Sequence, residues 1–351
     1  MSSTSVRAGL VGVTGYTGME LVRILAGHPH IRLNAATSRA EAGKRLGDIY
    51  PFLNKLPGAA VRLTEPDPRI LAEACDIVFL AAPHGAAMEM AAAMLDLGKK
   101  VIDLSADFRL RDPALYDQWY EGHSRPDLLP RAVYGLPELY GEAIARADLV
   151  ANPGCYPTAS VLGLAAPLTA ELIETEGIVI DAKSGTSGAG RTPGVGTLFC
   201  EVQDTFRAYN LARHRHTPEI EQEASALAGT PVTLHFAPHL VPMNRGILAT
   251  IYTRLKAPLD QGEAQALFEN HWQDAPFVRV LPSGRLPETR HVRGSMFCDL
   301  AVLADPRTRR LIVVSVIDNL CRGASGQAVA NANLMCGLPL AAGLEAAPLM
   351  P

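Results

Sequence analysis

Residues 8–25 read AGLVGVTGYTGMELVRIL, and this stretch decides the fold. Ala8–Val13 is a small, apolar run suited to a buried strand. Gly12-Val13-Thr14-Gly15-Tyr16-Thr17-Gly18 is a glycine turn, and apolar residues at helical spacing follow from Thr17 to Leu25 until Gly27 and Pro29 stop the helix. A strand that turns on glycines into a helix leaves free amides at the helix N-terminus, where a pyrophosphate can sit. The spacing is G-x-x-G-x-x-G rather than G-x-G-x-x-G, so a purely structural turn is the competing reading. Placement at the first strand–helix junction favours a nucleotide site built on Gly12, Thr14, Gly15, Tyr16, Thr17 and Gly18.

Working outward, strands are expected at Ile31–Thr37, Ile77–Ala82 and Val101–Leu104, with a helix at Ala86–Leu97 closed by Gly98. Such alternation predicts a Rossmann-type parallel sheet covered on both faces. The second strand ends in Thr37-Ser38-Arg39, where NAD sites usually carry an acidic residue for the ribose hydroxyl. A hydroxyl beside an arginine suits a 2′-phosphate, so Ser38 and Arg39 point to NADP. Ala82-Pro83-His84-Gly85 follows a central strand and borders the same site, with His84 as readily structural as chemical.

From about Asn152 the pattern changes. A helix at Cys155–Leu168 and a strand at Ile178–Ala182 are followed by β-branched runs at Val232–Phe236, Ile247–Arg254, Phe297–Leu303 and Leu311–Ile317. With few helices between them, these predict a second, α+β domain with a mixed or antiparallel sheet. A last helix at Ala324–Cys336 is apolar on one side and has no sheet partner nearby. The expected division is 1–151 with 319–351 for the nucleotide domain, and 152–318 for the catalytic and oligomerisation domain. A length of 351 residues suits two domains.

The net charge of −4 with mixed signs argues against a nucleic-acid partner, and no apolar run reaches the roughly 18 residues of a membrane-spanning helix. The N-terminus lacks the features of a secretory signal, which leads to a cytoplasmic expectation. Six widely spaced cysteines, without a C-x-x-C pair, read as free thiols.

One thiol stands in a different setting. Asn152-Pro153-Gly154-Cys155-Tyr156-Pro157-Thr158 ends a strand, turns at Pro-Gly and starts a helix on Cys155. The positive end of the helix dipole favours thiolate, and the free amides can hold an oxyanion. His214-Arg215-His216-Thr217-Pro218-Glu219 is the densest acid–base cluster. No further ligands at zinc-like spacing accompany it, so no metal is expected. His214 or His216 could exchange the proton of a thiohemiacetal, with Glu219 orienting the ring; an exposed polar loop is the plain alternative. Ser184–Arg191 exposes amides of small residues between cations, suiting a phosphate or nicotinamide. Arg109 could fork onto a phosphate or carboxylate, or pair with Asp107 or Asp112.

Taken in order, GVTGYTG, DLSADFR, YGLPEL, NPGCYPT, KSGTSGAGR, HRHTPEI, PHLVPMNRGI and DNLCRGASGQA span nearly the whole chain. Together they make it resemble the N-acetyl-γ-glutamyl-phosphate reductase family, relatives of aspartate-semialdehyde dehydrogenase. The resemblance implies NADPH-dependent reduction of N-acetyl-L-glutamyl 5-phosphate to the 5-semialdehyde and phosphate, in arginine biosynthesis. It also implies Cys155 as nucleophile, His214 as acid–base paired with Glu219, and Arg109 as a phosphate ligand. Ser187, Gly188 and Asn319 become cofactor contacts, Arg245 a candidate for the substrate carboxylate, and the last helix a return to the nucleotide domain. A homodimer or homotetramer is implied. Arg322 stands where the family carries lysine. Three rivals remain at this level. They are the same chemistry on a carrier-linked aminoadipyl phosphate of lysine biosynthesis, direct hydride transfer without a covalent step, and a nucleotide-binding regulator that has lost catalysis.

Overall fold

The computed structural model describes residues 5–350. The chain divides into two compact units: one runs up to Pro153 and resumes at Ala324–Glu345, and the other comprises Gly154–Gly323 with the tail from Ala346. The division expected from sequence placed 319–351 wholly in the first unit. Residues 319–323 instead belong to the second, as does the tail, where the Leu349 N–H reaches the Arg293 carbonyl at 2.8 Å.

The first unit is a seven-stranded parallel sheet: β1 (Val6–Val11), β2 (Ile31–Thr37), β3 (Leu63–Thr64), β4 (Ile77–Leu80), β5 (Lys100–Asp103), β6 (Ala132–Tyr134) and β7 (Leu149–Ala151). The order is β3-β2-β1-β4-β5-β7-β6. All four residues of β4 are buried, as a strand covered on both faces requires. Connections diverge between β1 and β4, which opens a crevice at their carboxyl ends. The helix Tyr16–Ala26 follows β1, and Met88–Asp96 follows β4. The helix Gly326–Met335 packs on Tyr16–Ala26, on Pro137–Arg146 and on β5, supplying the apolar partner its sequence lacked locally. Where the chain leaves this unit and where it returns, the Asn152 side-chain amide donates to the Ala324 carbonyl at 3.2 Å.

The second unit is a mixed sheet: β8 (Ile178–Gly185), β9 (Arg207–Ala208), β10 (Leu234–Val241), β11 (Ile247–Arg254), β12 (Val278–Val280), β13 (Cys298–Asp305) and β14 (Arg310–Ile317). Its order is β12-β13-β14-β11-β8-β10-β9. The β8–β10 and β12–β13 pairs are parallel and the others antiparallel. The helix Cys155–Thr169 lies on the face carrying Ile251, Val313 and Ser315. Close approach there depends on Gly163, where a Cβ would come 2.7 Å from Ile251 Cδ1. On the other face Val179, Ala237, Leu248, Tyr252, Ile312 and Val314 are half-buried. β8 runs three residues past its expected end, so Lys183-Ser184-Gly185 is strand rather than loop. β10 starts two residues late and continues through Pro238 to Val241.

Candidate active site

Cys155 is the first residue of the helix Cys155–Thr169, after an extended Gly154 that offers no side-chain cap. The helix itself carries no acidic residue in its first turn, and the amides there face the half-buried thiol. Glu219 comes to the same turn from the helix Thr217–Ala228. It is 1% exposed, and its Oε1 accepts the Gly154 N–H at 2.8 Å. This carboxylate thereby holds the backbone that presents the nucleophile, a bond that sequence reasoning did not foresee. Gly323 was missed. A Cβ at that position would lie 2.7 Å from Cys155 Cβ, so the close approach admits only glycine.

His214 is enclosed by rings. Its centroid lies 5.5 Å from Tyr156, 5.5 Å from Tyr209, 5.2 Å from Phe236 and 4.9 Å from His216. Burial, with a lesser push from the Arg215 charge, lowers its pKa to about 4, so the ring is neutral near pH 7. Its Nδ1 accepts the His216 N–H at 3.1 Å, which leaves the ring proton on Nε2. Tyr209 donates to the Tyr156 hydroxyl at 3.1 Å, and Tyr156 donates to the His239 carbonyl at 3.3 Å. Burial pushes the Tyr209 phenol up to about 12, and the Cys155 charge adds to the rise. The turn between Tyr209 and His214 holds Asn210 at φ 48° and Ala212 at φ 58°, left-handed conformations at non-glycine residues. Tyr209 carries no sequence signal of its own, because the ring cluster draws on four separate segments.

Asn319 is 2% exposed and joins three loops of this unit. Its Oδ1 accepts the Gly246 N–H at 2.7 Å and its Nδ2 donates to Ser187 Oγ at 2.9 Å. A Cβ on Gly188 would meet Ser184 Oγ at 2.9 Å, so the backbone there lies close against the end of its own strand. Arg245, expected to face a substrate carboxylate, donates from Nη2 to Asp318 Oδ1 at 2.9 Å. Asp318 is fully buried and also accepts the N–H groups of Gly294, Leu320 and Cys321. The wholly buried Arg322 follows these residues.

In the first unit the glycine turn makes a cradle. Gly12 has φ 85°, and a Cβ there would meet the Ala81 carbonyl oxygen at 2.4 Å; one on Gly18 would meet the Gly12 carbonyl oxygen at 2.4 Å. Gly15 caps the helix Tyr16–Ala26 without any side-chain bond, which leaves first-turn amides for a ligand. Thr14 and Thr17 are half-buried, Tyr16 is exposed, and the Thr17 carbonyl accepts Ser325 Oγ at 2.8 Å. Ser38 and the exposed Arg39 follow β2 at the same sheet edge. His84 Nδ1 accepts the Ala106 N–H at 3.0 Å, a structural use of that ring. Arg109 is 6% exposed. It donates from Nε to the Asn152 carbonyl at 2.8 Å and from Nη2 to the Leu104 carbonyl at 2.9 Å, bonds that brace the chain entering the nucleophile turn. Burial pushes Asp103 up to about 7, with the Asp107 charge adding to it. The described residues hold no group of three His, Cys, Asp or Glu suited to a metal, and no helix among them is long and apolar enough to cross a membrane.

Cys155, Glu219, His214, Asn319 and Ser187 thus all lie in the second unit, and the glycine turn, Ser38 and Arg39 in the first. Residues 7–147 match the semialdehyde dehydrogenase NAD-binding domain, and residues 155–319 match the semialdehyde dehydrogenase dimerisation domain. Solved structures with the same fold include aspartate semialdehyde dehydrogenase II from Vibrio cholerae (TM-score 0.73, 18% identity, 95% of this chain and 99% of that one). The Candida albicans aspartate semialdehyde dehydrogenase with NADP has TM-score 0.70 at 16% identity, over 95% of this chain and 99% of that one. Among curated proteins, the N-acetyl-gamma-glutamyl-phosphate reductase of Geobacter sulfurreducens is 53% identical over 99% of this chain and 100% of its own length. The protein of that name from Symbiobacterium thermophilum is also 53% identical, again over 99% of this chain and 100% of its own. With this identity along the full length, the chain belongs to the N-acetyl-γ-glutamyl-phosphate reductase family.

Proposed function

We propose that the protein reduces N-acetyl-L-glutamyl 5-phosphate to N-acetyl-L-glutamate 5-semialdehyde with NADPH, a step of arginine biosynthesis, through a thioester on Cys155. The observation that carries this reading is a thiol on an uncapped helix N-terminus in a chain matching reductases of that name from end to end. NADPH, when bound, supplies the hydride. The residues present fit it: the cradle at Gly12 and Gly18 leaves no room for a Cβ, first-turn amides suit a pyrophosphate, and Ser38 with Arg39 suits a 2′-phosphate. Ser187 and Gly188 would hold the nicotinamide end, kept in place by Asn319.

In this scheme the Cys155 sulfur attacks the acyl carbon and the carbon–oxygen bond to phosphate breaks. The thiol proton leaves with the phosphate. After reduction the thiohemiacetal oxyanion collapses, expelling thiolate and releasing aldehyde, and solvent returns a proton to the sulfur. Amides of the helix Cys155–Thr169 stabilise the oxyanion. His214, neutral and protonated on Nε2, serves as a hydrogen-bond donor to that oxygen rather than as an imidazolium acid. Glu219 holds Gly154 and thereby the nucleophile turn. Arg109 acts as a brace, while Arg245, oriented by Asp318, is the candidate for the substrate carboxylate.

A second copy of the chain would cover the half-buried sheet face at Val179, Leu248, Tyr252, Ile312 and Val314. A dimerisation-domain match over 155–319 supports that assembly. Six free cysteines suit a reducing, cytoplasmic setting.

The test is phosphate-dependent reduction of NADP with N-acetylglutamate semialdehyde, run beside an aminoadipate semialdehyde. Turnover with the first is expected to dominate, and Cys155→Ser should lose at least about a thousandfold in kcat while still binding NADPH. Wild-type turnover by Cys155→Ser would end the thioester scheme. Preference for the aminoadipyl compound would move the enzyme to the other pathway.

A further inference from the structure

We propose that Asp107 is a positioning residue for the dinucleotide: its buried carboxylate clamps the Pro83–Gly85 loop that borders the cofactor crevice. The inference rests on the nucleotide reading of the first unit and adds to it a residue outside the glycine turn.

The loop leaves β4 beside β1, at the point where strand connections diverge and ligands of such sheets bind. Just before it, the same connection meets the glycine cradle at Ala81, whose carbonyl oxygen faces the missing Cβ of Gly12. Gly85 has φ 79°, yet no heavy atom lies within 4 Å of the place its Cβ would take. Packing therefore does not hold this residue. Hydrogen bonds do: both oxygens of Asp107 lie 2.9 Å from the Gly85 N–H. Next to it, the Ala106 N–H is bonded to His84 Nδ1. Two consecutive residues after β5 thus hold two consecutive residues after β4.

The clamp is itself anchored. Asp107 is fully buried, and the Tyr116 hydroxyl donates to its Oδ1 at 3.0 Å. The Asp107 N–H bonds Ser105 Oγ at 3.1 Å, and His123 Nε2 lies 2.6 Å from the Asp107 carbonyl oxygen. Burying a carboxylate opposes folding by several kcal/mol unless donors meet it. Here one donor is the phenol that fixes the carboxylate and the other is the loop amide. Fixing backbone beforehand removes an ordering cost of about 1–2 kcal/mol per residue from the binding step.

The experiment titrates NADPH fluorescence on the full chain, without acyl substrate, for wild type and Asp107→Asn. The amide keeps the shape but loses the charge and one acceptor. A rise in NADPH Kd of about tenfold is expected, the scale of one charge-assisted hydrogen bond. At saturating NADPH, kcat should stay within about threefold, and alkylation of Cys155 by iodoacetamide without cofactor should stay within about twofold. A merely structural role would lower Tm and leave the Kd where it was. An unchanged Kd overturns the proposal, as does a loss confined to kcat. If Asp107→Asn does not fold, Tyr116→Phe keeps the carboxylate and frees it to move; a Kd rise of about threefold is then expected, and none overturns the proposal. Failure of the nucleotide reading would show in the wild-type titration, whereas failure of this inference shows only in the variants.

Discussion

Burial governs His214. Its pKa of about 4, against an ordinary value near 6.5, means that an unfolded chain binds a proton here more readily than the folded one between those limits. Stability from this residue is therefore complete above about pH 6.5 and declines as pH falls toward 4. Between pH 7 and pH 5 the wild type should lose about 2 kcal/mol relative to His214→Asn, read as the difference in urea midpoints at the two pH values. A loss of equal size in both proteins would refute the assignment. At this scale the sequence was partly legible. Cys155 could be picked out because Pro153-Gly154 must turn and the following run must be a helix, both local facts. Tyr209 could not, because its meaning comes from Tyr156 and His214, whose rings meet it only in the folded chain. Glu219 was found as a residue but not in its bond to Gly154, which joins positions 65 apart.

Among elements, the first strand–turn–helix is the most constrained. Gly12→Ala meets two penalties, a positive φ and a carbonyl oxygen 2.4 Å from the new carbon, whereas Gly15→Ala meets only the Gly12 carbonyl oxygen at 3.8 Å. Gly12→Ala should lose about 1–3 kcal/mol of stability and most NADPH affinity, while Gly15→Ala should stay within about 1 kcal/mol of wild type. Thermal melts and NADPH titration of the pair check this; equal damage from both would mean the cradle is not what fixes the turn. The same locality explains why this element was readable to within two residues at either end. Lys183-Ser184-Gly185 misled for the opposite reason. Small polar residues favour a loop, but pairing of Lys183 with His239 on β10 and with Leu248 on β11 holds them in the sheet. The short β6, of three residues, carries too little periodicity to be seen from sequence.

For the molecule as a whole, the two-unit plan was visible in the shift from strand–helix alternation to long β-branched runs. The place of residues 319–323 was not, since Asn319 is tied to Gly246 and Ser187, far from it in sequence. The half-buried face of the second sheet supplies the prediction at this scale. Tyr252 and Val314 lie on that face in adjacent strands, β11 and β14. Tyr252→Glu with Val314→Glu should shift sedimentation from dimer to monomer while NADPH binding by the first unit persists. A dimer unaffected by both charges would locate the interface elsewhere. The hydrogen bond between Asn152 and the Ala324 carbonyl has a further consequence for the order in which the protein is made. The ribosome delivers the sheet of the first unit, then the second as far as Gly323, and only then the helix Gly326–Met335, whose residues the first core buries. The domain begun earliest thus waits for a helix that meets its partners only after 170 intervening residues have had time to fold.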